Sequence, residues 1–125
     1  MAQIYKNNMI VIHRGDTIII PTDLNRGDIT HPNYYDLKEN DKVYFALLEP
    51  NQMWEKAILK KTFTYEDWVQ QKESCNIEID TEDTKYLLPG DYYYQVKLYI
   101  ASDPDLNNNE SVTTIIPRTR FVIID

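Results

Sequence analysis

The sequence predicts an all-β chain: an antiparallel sandwich of seven or eight short strands with at most one short helical turn, formed as a single domain over residues 1–125. Three observations predict it. Ten Tyr, two Trp and three Phe accompany abundant Ile, Val and Thr, residues that suit a pleated, half-buried surface. Short apolar runs recur with alternating polarity, and turn-forming residues bracket them. Helical 3.6-residue periodicity is almost absent.

The first run, Met9-Ile10-Val11-Ile12-His13, is parted from Thr17-Ile18-Ile19-Ile20 by Arg14-Gly15-Asp16, a strand, tight turn, strand signal in which Gly15 takes a positive φ without cost. Pro21 and the turn formers from Asp23 to Asn33 end the second run in a loop of about fifteen residues. Lys42 to Leu48 places Val43, Phe45 and Leu47 on one face and reads as a central strand. Ala57 to Thr64 reads as its antiparallel neighbour or as an edge strand guarded by lysine. Tyr65 to Ser74 is polar, anchored by Trp68 and Val69, with room for one helical turn.

Asn76-Ile77-Glu78-Ile79 is a short strand, and Asp80-Thr81-Glu82-Asp83-Thr84 offers an N-cap and acids for a one-turn helix closed by Leu87 to Gly90. The longest strand comes next, with Tyr92, Tyr94, Val96, Leu98 and Ile100 on one apolar face and Gln95 and Lys97 on the other. A slip by one residue would expose that whole face, so its register is strongly specified. Ala101 to Ser111 reads as a hairpin loop; Val112 to Ile116 returns, Pro117 breaks the ladder, and Phe121 to Ile124 forms the last strand. This spacing favours an immunoglobulin-like sandwich over a closed barrel, without the Cys pair and core Trp of antibody domains.

Composition narrows function. A net charge of -7 and a pI near 4.7 repel phosphate backbones and anionic lipid, so neither nucleic acid nor a membrane surface is an expected partner. Three glycines cannot build a nucleotide-phosphate cradle. A single Cys75 makes no internal disulfide, no apolar run approaches membrane-spanning length, and Met1 to Asn8 lacks a signal-peptide pattern. A soluble product of a reducing compartment is expected.

Sites of chemistry are few. Arg14-Gly15-Asp16 matches an adhesion tripeptide, but the spacing is what a short turn needs in any case. Asp103, Asp105, Asn107 and Asn109 alternate like the start of a calcium loop, yet Asn108 stands where the sharp turn wants Gly and Thr114 where a bidentate Glu belongs. Asp80, Glu82 and Asp83 are explained as acids at a helix start. His13 and His31 lack partners at metal-ligand spacing, and Cys75 has only Lys72 as a nearby cation. No catalytic set, cofactor or metal is expected, and a hydrolase would require a carboxylate pair inside a pocket. The tyrosines remain: Tyr34 and Tyr35 in the long loop, and Tyr93 and Tyr99 on the outward face of the long strand, are amphipathic groups of the kind enriched in protein interfaces. Trp54, Trp68 or Tyr35 could alternatively stack sugar rings, giving a carbohydrate-binding or host-surface-binding module.

The stretches Arg14-Gly15-Asp16-Thr17, Asn40-Asp41-Lys42-Val43-Tyr44-Phe45, Asp83-Thr84 with Leu87-Leu88-Pro89-Gly90-Asp91-Tyr92-Tyr93-Tyr94, and Thr114-Ile115-Ile116 with Arg120-Phe121-Val122-Ile123 together resemble the immunoglobulin-like domain at the N-terminus of baseplate upper proteins. Those proteins belong to tails of phages, prophages and phage-tail-like particles of Gram-positive bacteria. The resemblance runs over nearly the whole chain and brings no catalytic residue with it. It implies a virion structural protein that binds other tail or baseplate subunits, with self-association as a further option, residing in the tail and, during assembly, in the bacterial cytoplasm. Larger members continue into stalk or receptor-binding regions, and this sequence stops at Asp125, so an adaptor or decoration subunit is the expected form.

Overall fold

The computed structural model describes residues 2–125. The chain is mostly strand: β1 (Gln3–Ile4), β2 (Ile10–His13), β3 (Ile18–Thr22), β4 (Lys42–Leu48), β5 (Leu59–Thr64), β6 (Cys75–Ile79), β7 (Gly90–Asp103) and β8 (Asn109–Ile124). Two short helices, α1 (Tyr65–Gln70) and α2 (Thr81–Thr84), and two 3-10 turns at Trp54–Lys56 and Pro104–Leu106 complete it, more helix than the single turn expected. A curled six-stranded sheet runs β1-β2-β8-β7-β4-β5, and β3 pairs with β6 in a second sheet.

Register matches the sequence pattern most closely in β7. Its even-numbered residues from Tyr92 to Ile100 are all buried, from Tyr92 at 8% exposure to Tyr94, Val96, Leu98 and Ile100 at 0%. Antiparallel pairing sets Val96 opposite Phe45 on β4, and Tyr92 opposite Phe121 on β8. Tyr94 stacks on Phe45 at 5.8 Å between ring centroids and meets Phe121 edge-on at 5.9 Å, while its hydroxyl donates to the Asn8 carbonyl at 2.5 Å. From the second sheet, Ile20, Ile77 and Ile79 join the same apolar cluster. As expected, β4 is central and β5 lies at the sheet edge.

Three expectations are corrected. The Ile10–His13 and Ile18–Thr22 strands are not a hairpin: Gly15, at φ 86°, carries the chain from one sheet to the other. β2 instead pairs parallel with β8, Ile10 opposite Phe121, so the large sheet is mixed and not purely antiparallel. A local turn signal fixes a reversal of the chain but not which strand becomes the neighbour. Secondly, Ala101 to Asp103 prolongs β7, leaving a shorter connection, and Pro117 does not divide the last strand. The β7–β8 register shifts between Tyr94 and Val96, opposite Thr119 and Ile116, so the proline is absorbed in a bulge within one long strand. Thirdly, Val69 is 53% exposed; the buried Trp68 anchors α1, with the partly buried Tyr65 also packed against the core.

The turn after α1 carries strain. Seven described residues other than glycine have positive φ, and five are asparagine, which tolerates the left-handed region. The other two are adjacent: Lys72 at 57° and Glu73 at 61°. They persist because Gln71 clamps the start of β6, its side-chain amide accepting from the Asn76 N–H at 2.8 Å and donating to the Asn76 carbonyl at 3.2 Å. Lys72→Gly and Glu73→Gly are each expected to stabilise the fold by about 0.5–1 kcal/mol, relief of left-handed strain exceeding glycine's entropic cost. Urea unfolding checks this as a raised midpoint at unchanged slope.

Candidate functional site

The outward face of the large sheet is the candidate site. On β7 the odd-numbered residues face it: Tyr93 lies opposite Arg120, Lys97 opposite Thr114, and Tyr99 opposite Val112 on β8, with Tyr44 and Lys42 facing Lys97 and Tyr99 from β4. All of these fall on the side of the pleat away from the core. One end of the face is roofed by the segment after β4, beneath which Ala46 and Leu48 are fully buried despite pointing outward. Arg118 pins that roof, donating from Nη1 to the Gln52 carbonyl at 2.9 Å and from Nη2 to the Glu49 carbonyl at 3.1 Å.

The same guanidinium lies 4.8 Å from the centre of the Tyr93 ring, and the Lys97 ammonium 4.5 Å from that of Trp54. These cation–π contacts hold both aromatic groups in place without burying them, since Trp54 and Tyr93 remain half-buried. Tyr99 is fixed differently, its hydroxyl donating to Glu110 Oε2 at 2.9 Å, a bond that raises the phenol's pKa. Tyr93 and Tyr99, six residues apart on one strand, stand about 20 Å from one another.

The two loop tyrosines part company. Tyr34 is 67% exposed, whereas Tyr35 is 9% exposed and its hydroxyl donates to Asp41 Oδ2 at 2.5 Å. Burial, then this carboxylate, drives the Tyr35 phenol pKa far above its ordinary value. Tyr35 is therefore a core residue and not a contact residue; adjacent positions in an extended segment point opposite ways. Asp41 also accepts from the Lys38 and Ala101 backbone N–H groups, both at 2.9 Å, tying the long loop to β7. Of the sugar-stacking candidates, Trp68 is 7% exposed and Tyr35 is buried, while Trp54 is half-buried with Lys97 over one face of its ring.

Of the suspected calcium loop, Asp103 is fully buried and neutralised by Arg26, whose Nη2 lies 2.5 Å from its Oδ2. Asp103 also accepts from Ser111 Oγ at 2.7 Å and from the Asp105 N–H at 3.0 Å. Asn107 and Asn108 adopt left-handed conformations that turn the chain. No group of three or more His, Cys, Asp or Glu among the described residues is placed to hold a metal ion. Asp83 accepts from the Asp80 N–H at the start of α2 and pairs with Lys61 at 2.5 Å. The Arg14-Gly15-Asp16 turn is tied down through Arg14 to Asp125 at 2.8 Å and through the Gly15 N–H to Thr84 Oγ1 at 3.0 Å.

Sequence reasoning missed the long loop's rigidity. Asn25 Oδ1 accepts from the Gly27 and Asn33 N–H groups at 2.9 and 2.8 Å, and Asp28 Oδ1 from the His31 N–H at 2.6 Å and Thr30 Oγ1 at 2.9 Å. A Cβ on Gly27 would stand 2.1 Å from the His31 carbonyl oxygen, so only glycine fits. The Asn25-Arg26-Gly27-Asp28 run carries the local signal for this turn, but Arg26's bond to Asp103, 77 positions on, does not show in the sequence. The loop displays Ile29 at 97% exposure.

Two buried groups give measurable consequences. The Ser111 hydroxyl first, then Arg26 and the Asp105 amide, hold the Asp103 pKa below its ordinary 3.8 against the opposing effect of burial. A depressed folded-state pKa stabilises above the unfolded value and is lost as pH falls through the folded one, so stability should decline below about pH 4. Acid titration of the melting temperature checks this, and Asp103→Asn should flatten part of the decline. Burial pushes the Cys75 thiol up to about 12. Labelling by a maleimide at pH 8 should therefore track unfolding, and rapid labelling of folded protein would contradict the buried placement.

Searches against protein-family models, curated proteins and solved structures find no match to the chain.

Proposed function

We propose that this chain is a non-enzymatic structural module of a phage or prophage tail, an immunoglobulin-like sandwich that docks to other tail or baseplate subunits through the outward face of its large sheet. The finer fold reading is supported by strand order. The run β8-β7-β4-β5, with β3-β6 as the second layer, corresponds to the G-F-C-C′ and B-E arrangement of a variable-type immunoglobulin sheet. The family reading rests on the sequence stretches that resemble the baseplate domain, and these fall on the β2–β3 turn, β4, the α2–β7 passage and β8. The partners are tail proteins, and the location is the virion tail or the bacterial cytoplasm during assembly.

The observation that carries the docking reading is the pair of cation-held aromatics on the outward sheet face, Tyr93 beneath Arg118 and Trp54 beneath Lys97, with Tyr99 on the same strand as Tyr93. Tyr, Trp and Arg dominate the tightest-binding parts of protein interfaces, and here their rotamers are already restricted, which lowers the entropy lost on docking. A stable contact of this kind buries ~800 Å² per partner.

The test is co-assembly of the Tyr93→Ser and Tyr99→Ser variants with the products of the genes that neighbour this chain's own, which are expected to be tail subunits. Each loss is expected to weaken association by about tenfold, as removal of an interface anchor does. The melting temperature should stay within about 3 °C, since neither side chain lies in the core. Unchanged association, or a collapsed fold, would count against the assignment.

A further inference from the structure

The sheet edges are unequally protected. β1 is two residues long, and β5 carries Lys60 and Lys61, both devices that discourage an added strand. On β6, the Gln71 side chain occupies both backbone groups of Asn76, so the Pro21–Asn76 pair is the kind without mutual hydrogen bonds. Pro21 therefore turns its donorless nitrogen to the outer side of β3, which guards that edge as well.

The exception is the first half of β8. β2 lies beside β8 only from Phe121 to Ile124. Before β2 the chain turns away at Asn8, with φ 68°, and folds back as β1 outside β2 instead of continuing along β8. Among the described residues no strand accompanies Asn109 to Pro117 on the side away from β7. This stretch holds Ser111-Val112-Thr113-Thr114-Ile115-Ile116, six β-favouring or neutral residues with no charge and no proline. At the end of this open stretch nearest β2 there is a groove of about 330 Å³, walled by Ile115 and Ile116 of β8, Pro21 of β3, Ile29 of the hydrogen-bonded loop and the polar Asn8, Asp23, Asn25 and Asp28.

We propose that this groove receives an extended segment of a partner chain, carrying basic side chains between apolar ones, which adds to β8 as a further strand. The added backbone pairs with the open edge and its apolar side chains meet Ile115, Ile116 and Ile29. The basic side chains are specified by the wall: it contains Asp23 and Asp28 and no lysine or arginine, and the neighbouring Arg26 is consumed by Asp103. The same charge, with -7 overall, disfavours a second copy of this chain. The inference rests on the assembly reading only in that the occupant is a protein, and it concerns a surface distinct from the Tyr93 face.

The test uses the full chain, isotopically labelled, titrated with an acetylated six-residue peptide of alternating valine and lysine, and in parallel with its valine–glutamate counterpart. The expected result is saturable amide shift changes confined to Ser111–Ile116, Thr22–Asp23 and Asn25–Ile29, with the acidic peptide about tenfold weaker or worse. Asp23→Lys, at an exposed side chain, should weaken the basic peptide by about tenfold at an unchanged melting temperature. Equal binding of both peptides, shifts centred on Leu59–Thr64, or no shifts would overturn the assignment. So would sedimentation showing a dimer that Asp23→Lys dissociates, because a second copy would then own the groove. Failure here with co-assembly intact removes the groove and spares the Tyr93 face; loss of tail co-assembly with peptide binding intact does the reverse.

Discussion

The fold depends on a fully buried face of alternating residues along β7. Pairing with β4 on one side and β8 on the other commits both neighbours to the same register, so that Phe45 and Phe121 arrive against Tyr94. The Tyr94 hydroxyl then fixes the turn before β2 by donating to the Asn8 carbonyl. Burial pushes this phenol's pKa up to about 12, so it remains a donor throughout the physiological range. A one-residue slip along β7 would put five apolar side chains into water, so the irregularities in its pairing with β8, at Pro117, at Ile115 and before Asp103, are taken up while the even-numbered face of β7 stays inward.

Around this core, three polar attachments convert long connections into fixed structure. Asp41 holds the loop before β4 against Ala101, Asp103 holds Arg26 and hence the turn that displays Ile29, and Arg118 holds the roof over Ala46 and Leu48. In each, a charged group satisfies backbone or side-chain partners from a distant segment, and among the described residues no buried side-chain polar atom lacks a partner. Such attachments fix geometry more than they add stability, because desolvating the charge offsets much of the attraction. Fixed geometry is what a docking surface requires: less freedom remains to be lost when a partner binds.

The same economy of exposed structure gives the protein two surfaces of different character. The outward sheet face presents rigid aromatic rings held by cations, suited to side-chain contacts. The half of β8 that no strand accompanies among the described residues lies beside a largely polar, acidic groove with Ile29, Ile115 and Ile116 in its wall, where an added strand is proposed. They lie on different parts of the large sheet, so the two proposed contacts do not compete for the same residues. The carboxylates that resembled ligands or catalysts in the sequence are largely spent on attachments, Asp103 on Arg26 and Asp83 on Lys61.

Much of the strand content was legible because side-chain alternation is local: β4, β5, β6 and β7 lie where period-two patterning puts them, and the Thr81 helix lies where its cap and acids put it. What the residues could not reveal was pairing. Nothing within Ile10 to Thr22 distinguishes a hairpin from a crossing between sheets, since that choice is made by Phe121 to Ile124, about a hundred positions away. The site was half legible for the same reason. Outward placement of Tyr93 and Tyr99 comes from alternation, whereas Tyr35, beside the exposed Tyr34, is drawn inward by Asp41, and Asp103 is claimed by Arg26. Order along the chain is enough to settle which residues extend and which face of each strand is apolar, because those properties depend on near neighbours. Strand partners, the open edge on β8 and the fate of each polar side chain emerge only in three dimensions, because they depend on what distant segments bring to the same place.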